Sequence, residues 1–281
     1  MIRTASLALA ACFLSFSPAA AAPDTADPAP QLAAAPPVVD VELVLAVDVS
    51  WSMDIQEQEL QREGYVAALR HPDVLAAIQR GDWQRIALTY VEWAGHGLNR
   101  VIVPWTIIEN NEDAEAFAAK LERAPIARMR RTSISSILTK AAAMFDNGID
   151  GMRRVIDVSG DGPNNMGLVV TAARDEVLSQ GIVINGLPIM IKRSNPGGFF
   201  HLDELDIYYE DCVIGGFGAF MITVNSADKF AEAIRRKIIL EIARAPDDVV
   251  PATWRAPGSP PRIDCTVGEQ QWQRWRRFDR W

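Results

Sequence analysis

Residues 41–52 read Val-Glu-Leu-Val-Leu-Ala-Val-Asp-Val-Ser-Trp-Ser, an apolar run that ends in an acid and two hydroxyls at alternating positions. A near-continuous Val/Leu run is typical of a strand that is buried on both faces of a parallel sheet. Open α/β sheets bind their ligands beyond the carboxyl ends of such strands. Asp48, Ser50 and Ser52 therefore lie where a binding site is expected.

The side chains that follow this strand offer only oxygen atoms to a ligand. Oxygen suits Mg²⁺, Mn²⁺ or Ca²⁺, whereas zinc in proteins usually takes nitrogen or sulfur. Two later positions add oxygens, because one hydroxyl opens a predicted helix and one acid follows a second buried strand. We predict a divalent-cation site, with Mg²⁺ as the expected ion and Mn²⁺ or Ca²⁺ as alternatives, formed by Asp48, Ser50, Ser52, Thr132 and Asp161.

The composition limits the class of protein. The 281 residues are 49% hydrophobic, which is enough for one sizeable core, and the formal net charge is −8. A nucleic-acid-binding protein usually carries a basic patch and a basic balance, so we expect no nucleic-acid partner. The histidines, His71, His96 and His201, are too scattered for zinc-ligand spacing, and none neighbours a nucleophile elbow.

The N-terminus is typical of a targeting segment. Arg3 precedes an apolar core, and Ala19–Ala22 offers a small-residue cleavage site, so we predict a signal peptide at 1–22. Export to the periplasm or the medium follows from this prediction. A lipid anchor at Cys12, in a lipobox-like Leu-Ala-Ala-Cys, is the less favoured alternative because the apolar region before it is short. No later stretch is long and apolar enough to span a membrane.

After a Pro/Ala-rich linker at 23–39, the chain alternates strand-like and helix-like segments. The short Gly95-His96-Gly97 connection predicts an antiparallel hairpin, so the expected fold is α/β: a doubly wound, mostly parallel sheet with one antiparallel edge strand and helices on both faces, over residues 40–245. The predicted strands are 42–47, 85–93, 100–105, 154–158, 182–189 and 219–224. The predicted helices are 54–69, ended by Pro72, then 113–123, 133–145 with Thr132 as cap, 169–180 and 227–243.

Two features mark the C-terminal part of the chain. If Cys12 leaves with the signal peptide, Cys212 and Cys265 remain, which suggests one disulfide in an exported protein; two separately buried thiols are the alternative. Cys212 lies in a predicted insertion at 192–218, so the bridge would tie the tail at 246–281 to the domain. Trp272 and Trp275 recur there at helical spacing beside arginines, and we expect a short helix that covers an apolar patch, with membrane or partner binding as the alternative.

The five predicted ligands, in this order on alternating strands and helices, resemble the metal-ion-dependent adhesion site of von Willebrand factor A domains. The chain is closer still to a bacterial group of exported A-domain-like proteins of unknown function. Residues 90–93, 103–106, 158–165 and 211–216 carry that resemblance, which covers about residues 40–245.

The resemblance implies a role for each ligand. Ser50 and Ser52 would bind the metal directly, Thr132 directly in one conformation, and Asp48 and Asp161 directly or through water. A carboxylate presented by a partner protein or another acidic ligand would complete the shell, and its engagement can shift the last helix. Trp51 replaces the small residue usual between the two serines, so we expect this indole beside the ligand.

An enzyme alternative is a haloacid-dehalogenase-like Mg²⁺-dependent phosphatase with Asp48 as nucleophile. The Gly160-Asp161-Gly162 stretch resembles a late motif of that family. Such enzymes need a second acid two residues after the nucleophile as proton donor, and that position holds Ser50. The sequence therefore favours a binding module without catalysis.

Overall fold

The computed structural model describes residues 35–191, 202–243 and 260–278. The predicted signal peptide at 1–22, Cys12 and most of the predicted linker at 23–39 lie outside the described residues. The predicted insertion is described from residue 202 onward, and the predicted tail over 260–278.

In chain order, the described strands are β1 (Val38–Val39), β2 (Glu42–Asp48), β3 (Ile86–Trp93), β4 (Asn99–Ile108), β5 (Asp150–Gly151), β6 (Arg154–Gly160) and β7 (Val183–Pro188). The described helices are α1 (Ile55–Leu69), α2 (Pro72–Gln79), α3 (Asn111–Arg123), α4 (Ile134–Ala143), α5 (Val170–Ser179), α6 (Leu205–Tyr208), α7 (Phe230–Ile242) and α8 (Val267–Phe278). A π-helical turn, Tyr209–Val213, extends α6, and a 3₁₀ turn, Ala227–Lys229, precedes α7. None of these helices is both long and apolar enough to cross a bilayer.

The main sheet has the strand order β4-β3-β2-β6-β7. β2 pairs in parallel with β3 and β6, and β6 pairs in parallel with β7. β4 is the antiparallel edge strand beside β3, while β1 and β5 form a separate short parallel pair. This arrangement confirms the predicted fold class, a doubly wound and mostly parallel sheet with one antiparallel edge strand.

The central strand β2 explains the layering of the molecule, because all of its residues are buried. Side chains alternate across a strand, so Leu43, Leu45 and Val47 face one layer of helices, and Val44 and Ala46 face the other. The first layer contains α1, α2, α3 and α7, and the second contains α4, α5 and α6. Burial on both faces explains why the sequence of β2 shows no polar alternation.

One of the two predicted boundaries of the first helix is confirmed, and the other has an additional role in the structure. Asp54 caps α1 as predicted, and its side chain accepts a hydrogen bond from the Glu57 amide at 2.8 Å. Pro72 was expected only to end this helix, but it also begins α2 at the first helical position, where a missing N–H leaves no bond unmade.

The predicted last strand at 219–224 forms only isolated bridges alongside β7. Pro188 at the end of β7 has no N–H to donate to a neighbour. In addition, the side-chain oxygen of Asn185 takes the Phe220 amide hydrogen at 2.8 Å. The segment therefore follows β7 without continuing a regular ladder.

A buried ion cluster joins α7 to the sheet. The Lys237 ammonium lies 3.0 Å from Asp157 Oδ1 on β6 and 2.5 Å from Glu241 Oε1 on its own helix. Glu241 also accepts a hydrogen bond from Asn185 Nδ2 at 2.6 Å. One lysine charge faces two carboxylates, and burial raises the pKa of Asp157 to about 7. The cluster fixes the position of α7 along β6 and β7.

Candidate metal centre

The turn after β2 places two hydroxyls above the end of the sheet. Asp48 is the last residue of β2 and is fully buried, and its Oδ1 accepts a hydrogen bond from the Ser50 amide at 2.7 Å. An aspartate that binds the amide two residues later fixes a tight turn. A further bond, from the Met53 amide to the Ser50 carbonyl at 3.1 Å, closes the loop before α1.

The serines and the second acid form one hydrogen-bonded chain. Ser50 Oγ lies 2.7 Å from Ser52 Oγ, and Ser52 Oγ donates to Asp161 Oδ1 at 2.6 Å. Asp161 directly follows β6, and β6 is the parallel neighbour of β2, so both strands end at the same edge of the sheet. The structure therefore brings together Asp48, Ser50, Ser52 and Asp161, although the two loops are far apart in the sequence.

Thr132 reaches the same place from a third loop. It was predicted to cap α4, but Ser133 is the cap, and its Oγ accepts the Ser136 amide hydrogen at 3.3 Å. Thr132 is instead held through its backbone: its amide donates to Asn165 Oδ1 at 3.1 Å, and its carbonyl accepts from the Asn165 amide at 2.9 Å. Its side chain lines the same pocket as Ser50 and Ser52. Because Ser133 and not Thr132 caps the helix, the Thr132 hydroxyl is available for that pocket.

The electrostatics of Asp48 fit a cation. Burial raises the pKa of Asp48 well above its usual range, the nearby charge of Asp161 raises it further, and the hydrogen bonds from Ser50 oppose the shift. Asp48 Oδ2 is buried and has no hydrogen-bond partner. A divalent ion beside the two carboxylates would supply the missing positive charge. The described residues contain no group of three or more His, Cys, Asp and Glu side chains arranged for a metal, so an ion here would also need the hydroxyls.

Gly160 and Tyr209 lie below the acid, and the sequence analysis gave neither residue a role beside Asp48. A Cβ on Gly160 would lie 3.0 Å from Asp48 Oδ2 and 2.8 Å from Tyr209 Oη, so only glycine fits between the two groups. The Tyr209 hydroxyl is buried without a hydrogen-bond partner. Its pKa is raised well above the usual value, first by burial and then by the charges of Asp48 and Asp161. No sequence signal marks Tyr209, since it falls in the predicted insertion.

Asn164 is a further residue that sequence reasoning did not assign to the site. Its Oδ1 accepts the Ser135 amide hydrogen at 3.0 Å, and its Nδ2 donates to the Leu168 carbonyl at 3.0 Å and to Glu269 Oε1 at 2.7 Å. It thus ties the loop after β6 to the start of α4 and to α8. The only sequence signal was its place in the 158–165 stretch that carries the family resemblance.

A pocket of about 740 Å³ opens above these hydroxyls. One wall contains Ser50, Ser52 and Trp51, whose side chain is 51% exposed. The opposite wall contains Trp272 and Trp275 of α8. The predicted tail helix is present, but its indoles face this pocket instead of simply covering an apolar patch.

A disulfide between Cys212 and Cys265 anchors the chain just before α8, the pair that the sequence suggests. Cys212 lies in the π-helical turn after α6, and both half-cystines are buried in the second helix layer. Arg262 adds ion pairs to Glu210 and Asp211. The start of α8 is therefore fixed to the domain next to the candidate metal centre.

Residues 38–246 match the family described as “Protein of unknown function (DUF1194)”. No curated protein matches the sequence. Among solved structures, the pilus adhesin SpaC from Lactobacillus rhamnosus GG aligns with a TM-score of 0.54 and 13% identity, covering 74% of this chain and 32% of that one.

Two other solved structures share the architecture. Proximal thread matrix protein 1 from the mussel byssus, with a zinc-occupied MIDAS motif, aligns with a TM-score of 0.50 and 13% identity over 73% of this chain and 46% of that one. A von Willebrand factor type A protein from Catenulispora acidiphila aligns with a TM-score of 0.50 and 14% identity over 73% of this chain and 43% of that one. The chain spans about a third to a half of the length of these structures.

Proposed function

We propose a function for this chain, which belongs to the family described as “Protein of unknown function (DUF1194)” and has the fold of a von Willebrand factor A domain. The protein is an exported module that binds a carboxylate-bearing protein or ligand through a divalent cation, without catalysis. The observation that carries the proposal is the Ser50–Ser52–Asp161 hydrogen-bonded chain beside the buried, unpartnered Asp48 Oδ2. These oxygens converge at the carboxyl end of a parallel sheet, where such folds bind ligands.

Each of the five residues has a role in the proposed site. Ser50 and Ser52 would ligate the ion through their hydroxyls, and Thr132 would join them in one conformation. Asp48 and Asp161 would act directly or through water. The ion would supply a positive centre for the carboxylate of the partner. We expect Mg²⁺, with Mn²⁺ and Ca²⁺ as alternatives, because the donor set contains only oxygen; the zinc-occupied motif of the mussel protein supports a divalent ion.

The absence of catalysis is part of the proposal. A phosphatase of the haloacid-dehalogenase type would need Asp48 as an accessible nucleophile and an acid at position 50. Asp48 is fully buried, and its Oδ1 already accepts the Ser50 amide hydrogen. The Ser50 hydroxyl is too weak an acid to serve as the proton donor near neutral pH. Both points favour a binding site.

Export and domain organisation belong to the same proposal. We propose a signal peptide at 1–22, a linker at 23–39, the binding domain at 40–245 and a tied tail at 246–281, with export to the periplasm or the medium. The Cys212–Cys265 disulfide supports this location, because disulfides persist in oxidising compartments.

Thermal unfolding of residues 23–281 tests the metal site. We expect Mg²⁺, Mn²⁺ or Ca²⁺ to raise the melting temperature relative to EDTA by a few degrees, since an ion at about 100 times its Kd stabilises by about 2.7 kcal/mol. The double variant Ser50→Ala/Ser52→Ala should lose this shift, whereas Ser179→Ala, at the exposed end of α5, should keep it. A shift of equal size in the double variant, or no shift with any ion in the wild type, would contradict the proposal.

A further inference from the structure

The second wall of the pocket comes from outside the region that the family match covers. The match ends at residue 246, whereas Trp272, Trp275 and Arg276 lie on α8. Trp275 and Arg276 lie three and four positions after Trp272, so both share a helix face with it. That face is turned toward the hydroxyls of the candidate metal centre.

The position of α8 is fixed by close packing as well as by the disulfide. A Cβ on Gly268 would lie 2.1 Å from the Asn164 carbonyl oxygen, so the helix approaches the loop after β6 as closely as glycine allows. The next residue, Glu269, accepts a hydrogen bond from Asn164 Nδ2 at 2.7 Å. The helix is therefore a built part of the pocket.

Three guanidinium groups line this pocket. The Arg130 guanidinium lies 4.1 Å from the centroid of the Trp51 ring, and that of Arg131 lies 4.3 Å from the Trp272 ring. Arg276 is the third lining arginine. Within residues 35–191, 202–243 and 260–278, none of the three forms an ion pair with a carboxylate. Arginines that stack on aromatic faces keep their N–H fork free for a planar anion.

The backbone conformation of Arg131 also points to a binding role for this loop. Arg131 has a φ of 73°, in the left-handed region that side-chain-bearing residues rarely adopt. The strained residue is held between two fixed neighbours: the Arg130 carbonyl accepts the Gly95 amide hydrogen at 3.1 Å, and the Ser133 amide donates to the Ala94 carbonyl at 2.8 Å. Strain of this kind persists where the surroundings over-determine a conformation, commonly at binding sites.

We propose that α8 and the 130–131 loop form an anion-binding wall, and that the ligand of this pocket carries at least two carboxylates. One carboxylate would bind the metal ion, and the second would bind Arg130, Arg131 and Arg276. The first contact rests on the proposed function, but the second does not. A pocket of about 740 Å³ suits a compact group, either a free dicarboxylate or two neighbouring acidic side chains of a peptide.

Titration of tryptophan fluorescence at constant ionic strength tests the wall, because three indoles line the pocket. Glutarate and butyrate serve as probes, since they have similar carbon chains but differ by one carboxylate. With Mg²⁺ present, we expect glutarate to bind at least about tenfold more tightly, the gain expected for a charge-assisted contact with arginine. Equal binding of the two acids by protein that shows the Mg²⁺-dependent melting-temperature shift overturns the proposal.

Two variants locate the second carboxylate. Arg131→Gly removes one guanidinium and suits the left-handed backbone, and Arg276→Gln removes another from the pocket side of α8, where the residue is solvent-exposed. Each should reduce the preference for glutarate several-fold. Arg277→Gln is the matched control, because Arg277 is exposed on the same helix and does not line the pocket. A glutarate preference unchanged in both pocket variants overturns the proposal.

Further measurements distinguish the metal site from the anion-binding wall, and a peptide ligand from a free dicarboxylate. A melting-temperature shift with Mg²⁺ that persists in Arg131→Gly and Arg276→Gln shows that a lost glutarate preference is due to the wall and not to the metal site. Binding of glutarate or butyrate in EDTA that weakens several-fold in Arg131→Gly and Arg276→Gln supports the wall even where the metal site fails. The peptides acetyl-Glu-Glu-amide and acetyl-Gln-Glu-amide repeat the comparison between a ligand with two carboxylates and a ligand with one. If the first peptide binds tenfold more tightly than the second and also more tightly than glutarate, the pocket is assigned to peptides. If glutarate binds more tightly than the first peptide, the pocket is assigned to free dicarboxylates.

Discussion

At the scale of single residues, the Asp48 carboxylate has two properties that destabilise its charged form in a protein without a bound ion. Its carboxylate is fully buried, and one of its oxygens has no hydrogen-bond partner. Asp161 brings a second negative charge close enough to raise its pKa. Such a group is costly for folding unless a cation compensates it. The proposed metal site is therefore expected to lower the stability of the ion-free protein in exchange for ion binding.

Asp48→Asn should stabilise the protein in EDTA and abolish stabilisation by metal. Asparagine keeps an oxygen for the Ser50 amide and removes the buried charge that faces Asp161. We expect a gain of about 1 kcal/mol in the free energy of unfolding, or a melting temperature higher by about 2–4 °C. Melting curves in EDTA and in Mg²⁺ measure both effects. A variant less stable than the wild type in EDTA would show that the charge is already compensated.

Gly160→Ala should destabilise the protein and weaken metal binding, because the added methyl would collide with Asp48 Oδ2 and Tyr209 Oη. The expected loss is about 1–3 kcal/mol of unfolding free energy, measured by denaturant titration. Tyr209→Phe alone should cost little, since this hydroxyl makes no hydrogen bond. Combined with Gly160→Ala it should restore part of the loss, so strict additivity of the two changes would argue against the collision.

At the scale of elements, α7 is held by charges as well as by its apolar face. Phe230, Ile234 and Ile238 pack into the first helix layer, while Lys237 lies between Asp157 and Glu241. Lys237 supplies one ammonium for two acids, and burial raises the pKa of Asp157 to about 7, so this carboxyl is partly protonated near neutral pH. Any movement of α7 would have to separate these buried charges, so the cluster opposes it.

Asp157→Asn should make the protein less sensitive to pH. The folded pKa of Asp157 is raised to about 7 from an ordinary value of about 3.9, so its contribution to stability is present in acid and is lost as the pH rises through about 7. The groups that face it are Lys237, Glu241 and Tyr65. We expect the wild type to lose roughly 1–3 kcal/mol between pH 5 and pH 8 and the variant to lose less. Asp48 is common to both proteins, so equal pH profiles would exclude Asp157 as the source.

At the scale of the whole molecule, the described chain consists of a von Willebrand factor A fold and a C-terminal helix that the fold itself does not require. The helix reaches the sheet edge that carries the candidate site because the disulfide and the Asn164–Glu269 bond hold it there. The pocket is thus shared between the common fold and the tail. Loss of the tail contact should change the pocket without abolishing the sheet.

Cys212→Ala/Cys265→Ala should release α8 and lower stability. The two cysteines are 53 positions apart, so the bridge is expected to contribute about 2–4 kcal/mol. Denaturant unfolding measures the loss, and hydrogen exchange over residues 267–278 reports the helix. The stabilisation by Mg²⁺ should remain, because none of the five proposed ligands lies on α8. Unchanged exchange protection of α8 would show that its packing alone holds it.

The sequence by itself determined the architecture and the region of the candidate site. The buried run at 42–48, the hairpin at Gly95–Gly97 and the cap at Asp54 all express local preferences, which follow from the residues within a few positions. The order of Asp48, Ser50, Ser52, Thr132 and Asp161 likewise placed the expected ligands on strand-end loops and a helix start.

Only the tertiary structure decided which distant groups meet. Ser52 bonds to Asp161, Lys237 to Asp157, and Tyr209 lies beneath Asp48 because neighbouring strands and helices pack across the sheet. Thr132 was mistaken for a cap, since the adjacent serine has the same capping chemistry and backbone geometry makes the choice. The position of α8 against the candidate metal centre depends on Gly268, a disulfide and a side-chain amide. These contacts join segments whose distance in space no local pattern encodes.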